Sequence, residues 1–484
     1  MKLIREVPEK HGLSSQALSR FFTAVREQGL EVNSFMLLQQ GQVTAEFIRK
    51  PYRPGTPQLL YSLSKSFTSI AAGIAWDEGL LKLDDPVISF FPDKLPEAVS
   101  PHLARMTVHH LLSMNAGHEE DIYPAVVREQ DWVSAFLAQK VEHEPGSRYR
   151  YSTPSTYMVA AIIERVSGEP LVRYLMPRLF GPLGIPEPSW ESCPQGITAG
   201  GMGLSLSTES IAKFGQMLLQ QGMYNGQRIV SAEYLAKAVQ EQSDNRAGVQ
   251  GRIDSAQGYG YQFHLCRRGC YRGDGSFGQL CLVAPEQHMV IAVTAGFKSM
   301  SRLQSLLDLI FEYIMDALDT DSLPEEPGHH ASLLKQLTEW GASGLPAAQL
   351  SLPEKWPAAA RSSRYRISGN PHGLQSIAFS PNQTLLELHM VYGDERDQTL
   401  PFDYTKPSAA EGVFYKDLAL HRQQIITCAA IPAGDTLKLT LYYIETPYIV
   451  TYTIKFQEES LEFSFSINVS LNIPEFTAAG RQIC

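Results

Sequence analysis

The order in which strand-like and helix-like patterns follow one another constrains the fold of this chain most strongly. Two apolar runs in residues 34–50 flank Gln40-Gly41 and predict a β-hairpin. Apolar residues then recur at helical spacing between about residues 62 and 240, and strand-like runs return over 259–295. Strands at both ends with helices between them predict an α/β (α+β) domain, an antiparallel sheet flanked by helices with a helical insertion at about residues 84–255.

The C-terminal part of the chain has a different character. Prolines and glycines crowd residues 319–361, so we predict a linker over 321–361 that carries one short helix at about 331–340. Beyond it, runs such as LKLTLYYIE, YIVTYTIKF and LEFSFSINVS alternate apolar with polar residues. This alternation predicts a separate all-β barrel or sandwich over residues 362–484, after a first domain over residues 1–320.

Charge and composition exclude several classes of partner. The 484 residues include 41 Lys and Arg against 51 Asp and Glu, a formal net charge of −10, which gives no electrostatic reason to bind nucleic acid or an anionic membrane. No run approaches the roughly 18 apolar residues that span a bilayer, and no apolar stretch follows the basic N-terminal residues, so no secretory signal is expected. The six cysteines are too sparse for a disulfide framework and favour a cytoplasmic location. The sequence does not indicate the oligomeric state.

A short serine–lysine pattern is the first indication of chemistry. Ser-x-x-Lys occurs three times, at Ser62/Lys65, Ser210/Lys213 and Ser332/Lys335. Ser62 stands at the start of a long apolar helix, predicted over Ser62–Glu78, where first-turn N–H groups favour developing negative charge. Lys65 lies one turn further along the same helix face and could take the serine proton. An N-cap serine followed by a solvated lysine is the alternative interpretation.

Longer stretches around this serine resemble a known family. Ser62–Thr68 (SLSKSFT) is similar to the nucleophile helix of class C β-lactamases and of the related penicillin-binding proteins, esterases, D-amino-acid peptidases and amide hydrolases. Four further stretches, 79–86, 106–117, 145–168 and 201–215, fit the same family in order and with sensible spacing. The resemblance covers roughly residues 30–320. It implies a β-lactamase/transpeptidase-like domain in which Ser62 is the nucleophile of a serine hydrolase.

The resemblance also assigns the second and third motifs of the family. Tyr151-Ser152-Thr153 matches Tyr-x-Asn, which implies Tyr151 as general base or as relay partner of Lys65, whereas Thr153 replaces the asparagine and loses its amide. Gly273-Asp274-Gly275 matches a motif that carries lysine or histidine in the family, so the cation is missing and an acid stands beside its place. Arg272 is adjacent but would point to the opposite face of the strand. A glycine-rich hairpin turn is the alternative interpretation of this motif.

These departures bear on the expected substrate. Gly275 and the N–H groups of Ser276 and Ser62 are the predicted oxyanion site, and Asp274 would meet the carboxylate of a β-lactam. We therefore expect hydrolysis of a small ester or amide through an acyl-enzyme, with weak β-lactamase activity left open and no cofactor. His264 and two nearby cysteines fit no standard zinc spacing, so no metal is expected. A catalytically degenerate binding protein of the same fold is the alternative.

Overall fold

The structure is a computed structural model that describes residues 3–247, 251–345, 356–357, 360, 363–394 and 396–483. The chain forms two compact units. The first consists of Met1–Phe47 and Pro57–Leu337, and the second of Ile48–Thr56 and Thr338–Cys484. The observed boundary after Leu337 lies between the two predicted boundaries at residues 320 and 362. Most of the predicted linker beyond residue 345 lies outside the described residues.

The largest sheet of the first unit has six strands drawn from both ends of its sequence. The strands of this unit are β1 (Val32–Gln39), β2 (Gln42–Ile48), β3 (Gln58–Leu59), β4 (Ser189–Trp190), β5 (Leu204–Leu206), β6 (Met223–Tyr224), β7 (Gln227–Arg228), β8 (His264–Leu265), β9 (Tyr271–Gly275), β10 (Gln279–Ala284) and β11 (Met289–Ala295). The order in the sheet is β2-β1-β11-β10-β9-β8. Strand β1 pairs antiparallel with β11, so that Leu37 lies opposite Ile291.

Helices precede, interrupt and follow these strands. They are α1 (Ser15–Glu27), α2 (Ser64–Asp77), α3 (Pro101–Arg105), α4 (Val108–Leu112), α5 (Tyr123–Val127), α6 (Trp132–Leu137), α7 (Thr153–Ser167), α8 (Leu171–Leu175), α9 (Thr208–Leu219), α10 (Ala232–Ala238), α11 (Met300–Ile310) and α12 (Pro327–Ala342). Helix α9 packs on the sheet, where Cys281 Sγ of β10 contacts Ile211 O at 3.7 Å. Helices α3–α10 form the insertion, and the predicted fold class of this part of the chain is confirmed.

Helix α2 is buried along Ser64–Ala75, polar residues included, and lies inside the first unit. Phe67 is fully buried and stacks on Phe214 with ring centroids 3.8 Å apart. The Tyr234 hydroxyl donates to Ser69 O at 2.8 Å. A helix that is buried on all faces is held by neighbours on all sides, so α2 is a rigid support for residues at its start.

The second unit is a near-closed barrel of ten antiparallel strands. They are β12 (Arg364–Ile367), β13 (Leu374–Asn382), β14 (Leu385–Tyr392), β15 (Gln398–Asp403), β16 (Ser408–Tyr415), β17 (Leu420–Ala433), β18 (Thr436–Tyr443), β19 (Ile449–Gln457), β20 (Ser460–Ile467) and β21 (Phe476–Ile483). The sheet order begins at β15, passes through β12 and β21, and ends at β16. Val413 N–H of β16 donates to Gln398 Oε1 of β15 at 3.0 Å, which joins the two end strands. Of the two predicted alternatives, the barrel is therefore the one observed.

A short segment between β2 and β3, Ile48–Thr56, belongs to the second unit although its flanking residues belong to the first. The Lys50 N–H donates to Gly341 O at 2.7 Å. Tyr52 is 8% exposed and packs in an apolar cluster whose other buried members are Ile426, Cys428, Tyr442 and Ile444. The Tyr52 hydroxyl also donates to Thr446 O at 3.5 Å, across 394 positions of sequence. No local sequence pattern predicts this excursion, because its partners lie near the other end of the chain.

Within the part of the chain that the structure describes, none of the helices combines the length and the apolar character needed to cross a bilayer.

Replacing Tyr52 by alanine removes an aromatic ring from the apolar cluster that Tyr52 forms with residues of the barrel. We expect the second unit to lose about 3 kcal/mol of unfolding free energy. Tyr415→Ala is the matched control, because the Tyr415 ring is 39% exposed and its removal should cost no more than about 0.5 kcal/mol. Urea denaturation followed by circular dichroism measures both variants. Equal losses would show that the excursion adds no stability to the barrel.

Candidate active site

The predicted nucleophile, Ser62, lies in a tight turn between β3 and α2. Tyr61, just before it, has a φ of 50°, a left-handed conformation that is costly for a residue with a side chain. Ser64 Oγ holds this turn, because it donates to Tyr61 O at 2.6 Å and accepts from the Leu204 N–H at 3.2 Å. The α-helix thus begins at Ser64 instead of Ser62, and Ser62 stands on a strained turn of fixed geometry.

Lys65 is the polar centre of the site. It is only 2% exposed, and its Nζ donates to Ser62 Oγ at 3.0 Å, to Thr153 Oγ1 at 3.1 Å and to Gly201 O at 2.7 Å. The structure therefore brings together the predicted residues Ser62, Lys65 and Thr153. The Thr153 hydroxyl keeps a contact with the lysine, although the asparagine amide of the family motif is absent.

Tyr151 also contacts the nucleophile. Its phenol interacts electrostatically with the Ser62 side chain, and Lys65 Nζ lies 4.9 Å from the centroid of its ring. Burial raises the pKa of the Tyr151 phenol, the interaction with Ser62 opposes this in part, and the Asp274 carboxylate raises the pKa further. Tyr151 is therefore a protonated phenol near neutral pH, which favours the relay role over that of a phenolate base.

The other two Ser-x-x-Lys pairs have different surroundings. Ser210 and Lys213 are buried in α9, where Lys213 Nζ pairs with Glu209 Oε1 at 3.1 Å. Ser332 is exposed on α12 and donates to Gly328 O at 2.9 Å. Lys213 is thus held by a carboxylate, and Ser332 makes an ordinary bond to its own helix.

Two glycines of β9 explain why the third motif has no cation. A Cβ on Gly273 would lie 2.3 Å from Ser66 Oγ, and a Cβ on Gly275 would lie 2.1 Å from Leu60 O. Strand β9 therefore runs directly against α2 and the turn that precedes it. Position 273 leaves no room for a lysine side chain, and the close approach at Gly275 brings the following residue, Ser276, next to the turn of Ser62.

The turn at Ser276, like the turn at Ser62, contains a residue with a left-handed backbone conformation. Phe277 has a φ of 64°, and its ring meets the Tyr61 ring edge to face with centroids 5.1 Å apart. Tyr61 and Phe277 are thus both strained and pack against each other. Each of them lies next to one predicted oxyanion donor, Ser62 or Ser276. This contact restricts the spacing between the two turns, as a preorganised oxyanion site requires.

Arg272 and Asp274 form a buried ion pair beside the nucleophile. They are 1% and 9% exposed, and Arg272 Nε lies 2.7 Å from Asp274 Oδ2. Because the two residues are two apart on β9, they share one face of the strand, and this face lines the cleft with Ser62. Burial is the largest single effect and would raise the pKa of Asp274, but Arg272, His264 and Arg252 together outweigh it and hold that pKa below its ordinary value. A substrate carboxylate would therefore meet a neutralised pair at this position instead of a bare acid.

The site opens into a cleft of about 320 Å³. Besides the predicted residues, its walls include Tyr149, Arg252, His264 and the helix α11. Sequence reasoning missed Arg252, which belongs to no family-like stretch, and it treated His264 only as a possible metal ligand. Gly201, whose carbonyl holds Lys65, could have been found from its place in the family-like stretch 201–215. Across the described residues, no cluster of His, Cys, Asp and Glu is suited to holding a metal ion.

Arg272→Met leaves the Asp274 carboxylate buried without its partner, and we expect a loss of about 3–5 kcal/mol of unfolding free energy near neutral pH. The pKa of Asp274 is lowered in the native fold, so its contribution is present above the unfolded pKa and is lost as the pH falls through the folded pKa. In the variant, burial raises that pKa, so the deficit should shrink as the pH falls from about 7 to about 5.

Urea denaturation at both pH values measures this deficit. Arg246→Met is the control, because Arg246 is exposed and pairs with Glu241 at the surface, and little change is expected. A deficit of Arg272→Met that stays constant with pH would contradict the assignment of the buried charge.

Comparisons with known proteins agree with this geometry. A family profile described as beta-lactamase matches residues 18–313, more than half of the chain. A 6-aminohexanoate-dimer hydrolase of Paenarthrobacter ureafaciens is 25% identical over 224 residues, which span 42% of this chain and 57%, less than two thirds, of that protein.

Two solved structures share the fold. An octameric penicillin-binding protein homologue from Pyrococcus abyssi has a TM-score of 0.50 at 18% identity, covering 96% of this chain and 99% of that one. A penicillin-binding protein homologue from Caulobacter crescentus has a TM-score of 0.51 at 16% identity, covering 65% and 99%. With the family profile matched over most of the first unit, the chain belongs to the beta-lactamase family.

Proposed function

We propose that this chain is a serine hydrolase that cleaves a small ester or amide through an acyl-enzyme on Ser62. The observation that carries the proposal is the placement of the Lys65 amine 3.0 Å from Ser62 Oγ, with the Tyr151 phenol interacting with the same serine. A weakly acidic hydroxyl becomes a nucleophile when a positioned base accepts its proton, and the Lys65 amine lies within the distance that such a transfer needs.

In the proposed reaction, Lys65 acts as the neutral amine: it donates to Thr153 Oγ1 and Gly201 O, and its lone pair accepts the Ser62 proton as Ser62 Oγ attacks the substrate carbonyl carbon. The N–H groups of Ser62 and Ser276 bind the oxyanion. The protonated Tyr151 phenol gives its proton to the leaving alcohol or amine and regains one from Lys65. A water molecule then attacks the acyl carbonyl, with the same groups moving its proton, and releases the carboxylic acid and free Ser62.

Two observations bear on the kind of bond that is cleaved. The relative from Paenarthrobacter ureafaciens is by its name a hydrolase of a 6-aminohexanoate dimer, which supports linear amides as substrates beside esters. Position 273 has no space for the cation of the family's third motif, which argues for low activity on β-lactams. We also propose a cytoplasmic location, on the sparse and unevenly spaced cysteines.

Ser62→Ala should abolish hydrolysis of p-nitrophenyl butyrate and labelling by a fluorophosphonate, because the nucleophile is gone while the buried helix α2 is unchanged. Ser210→Ala and Ser332→Ala are the controls from the same sequence pattern and should keep near-native activity. Circular dichroism checks that all three variants fold. Labelling of the Ser62 variant at the native rate would exclude the mechanism. If the native chain is neither labelled nor active, the degenerate binding protein is the better interpretation.

Lys65→Met and Tyr151→Phe should each lower kcat by roughly a hundredfold or more, the usual scale for losing a group that transfers a proton. Because both groups serve one proton relay, the double variant should be little slower than the slower single variant. Steady-state kinetics on p-nitrophenyl butyrate measures the three rates. Losses that multiply in the double variant would show two independent roles.

A further inference from the structure

The cleft contains a cation, Arg252, that forms no ion pair among the described residues. Arg252 lines the cleft and is partly exposed, and no carboxylate among the described residues lies within ion-pair distance of its guanidinium. The other charges of this region are compensated: Arg272 pairs with Asp274 at 2.7 Å, and Arg267 pairs with Asp254 at 2.8 Å. Among the charged residues that line the cleft, the two cations Arg252 and Arg272 thus outnumber the one carboxylate, Asp274, and Asp274 pairs with Arg272.

The cleft also contains an imidazole, that of His264, with a ring nitrogen that makes no hydrogen bond among the described residues. His264 stacks beside Tyr151 with ring centroids 6.3 Å apart, and its Nδ1 is buried without a hydrogen bond in the part of the chain that the structure describes. Its Nε2 lies 3.8 Å from Asp274 Oδ1, too far for a strong hydrogen bond. Burial lowers the pKa of His264 to about 4, so the ring is neutral near pH 7 and does not add to the charge of Arg252. A buried ring nitrogen of this kind gains most when a ligand in the cleft completes its hydrogen bonding.

An apolar wall complements these polar groups. Met300, Leu303 and Leu307 line the cleft from α11, and their spacing places them on one face of that helix. A substrate that fills the cleft therefore meets the oxyanion site at Ser62 and Ser276, a strip of apolar side chains, and one unmatched guanidinium. Guanidinium groups bind carboxylates strongly because two N–H groups can face the two oxygens.

We propose that the acyl part of the substrate is a short apolar chain that ends in a carboxylate, and that Arg252 binds this carboxylate while α11 contacts the methylene groups. The proposal rests on the serine hydrolase function proposed above and names its substrate class. Arg252 thus supplies a cation from a segment outside the third motif, whose own strand has no room for one at Gly273. The reaction is the hydrolysis already described, with a dicarboxylate monoester or monoamide as the acyl donor.

The test compares two p-nitrophenyl esters with equal chain length, the monoester of adipate and the ester of hexanoate, each corrected for spontaneous hydrolysis. The native chain should have at least a tenfold higher kcat/KM on the adipate ester, mainly through a lower KM. This preference should fall as ionic strength rises, since a partly exposed charge pair is screened by salt.

Variants at Arg252 identify the group responsible. Arg252→Gln should remove the preference for the adipate ester, and Arg252→Lys should retain part of it because the charge remains without the forked geometry. Arg246→Gln is the matched control: Arg246 is exposed and paired with Glu241 and Asp244, so the preference should persist. Equal losses on both esters in Arg252→Gln would assign Arg252 to the structure of the cleft and overturn the proposal.

The outcomes separate this inference from the function on which it rests. If hexanoate is hydrolysed in a Ser62-dependent way but adipate is not preferred, the hydrolase stands and the carboxylate site does not. If neither ester is hydrolysed, calorimetric titration of adipate and of hexanoate into Ser62→Ala still decides the matter. Tighter binding of adipate that Arg252→Gln abolishes supports the site, and equal or absent binding overturns it.

Discussion

The burial of a single amine, that of Lys65, is the constraint on which the rest of the site depends. A polar side chain inside a core is stable only when its hydrogen-bonding atoms are satisfied. The three acceptors of Lys65 come from the turn before α2, from the first residue of α7 and from the loop before β5. These segments meet only when the helical insertion, which contains α7 and β5, has packed against α2. The contacts that hold Lys65 against Ser62 are therefore the same contacts that allow Lys65 to be buried.

The second organising element is the close contact between β9 and α2. Glycines at 273 and 275 allow the strand to approach the helix, and that approach places Ser276 beside Ser62. The same approach excludes a long side chain at position 273. The glycine at position 273 of the third motif is thus a consequence of packing. The charged residues of β9 lie on its other face, where Arg272 neutralises Asp274. The face of β9 that lines the cleft is thus polar, and its two charges balance each other.

Local patterns predict what depends on neighbours in sequence. The hairpin at Gln40-Gly41, the apolar helix after Ser62 and the alternating strands of the barrel all follow from periods of two or 3.6 residues. The same patterns could not distinguish a barrel from a sandwich, because both bury alternate residues, and closure depends on contacts between β15 and β16. They also could not place Arg252 and His264 in the cleft. Family-like motifs identify Ser62, Lys65 and Tyr151, but the protonated state of Tyr151 depends on burial, which only the folded chain defines.

The excursion of Ile48–Thr56 into the barrel has a consequence for synthesis of the chain. Translation adds roughly 5–20 residues per second, so Thr446 leaves the ribosome about 20–80 s after Tyr52, from which it is separated by 394 positions. During that interval the Tyr52 ring has no barrel to cover it, while most of the first unit has already emerged. The nascent chain thus carries Tyr52 without its barrel partners until the strands β17 and β18 are made, and chaperone contact at this segment would protect it from aggregation.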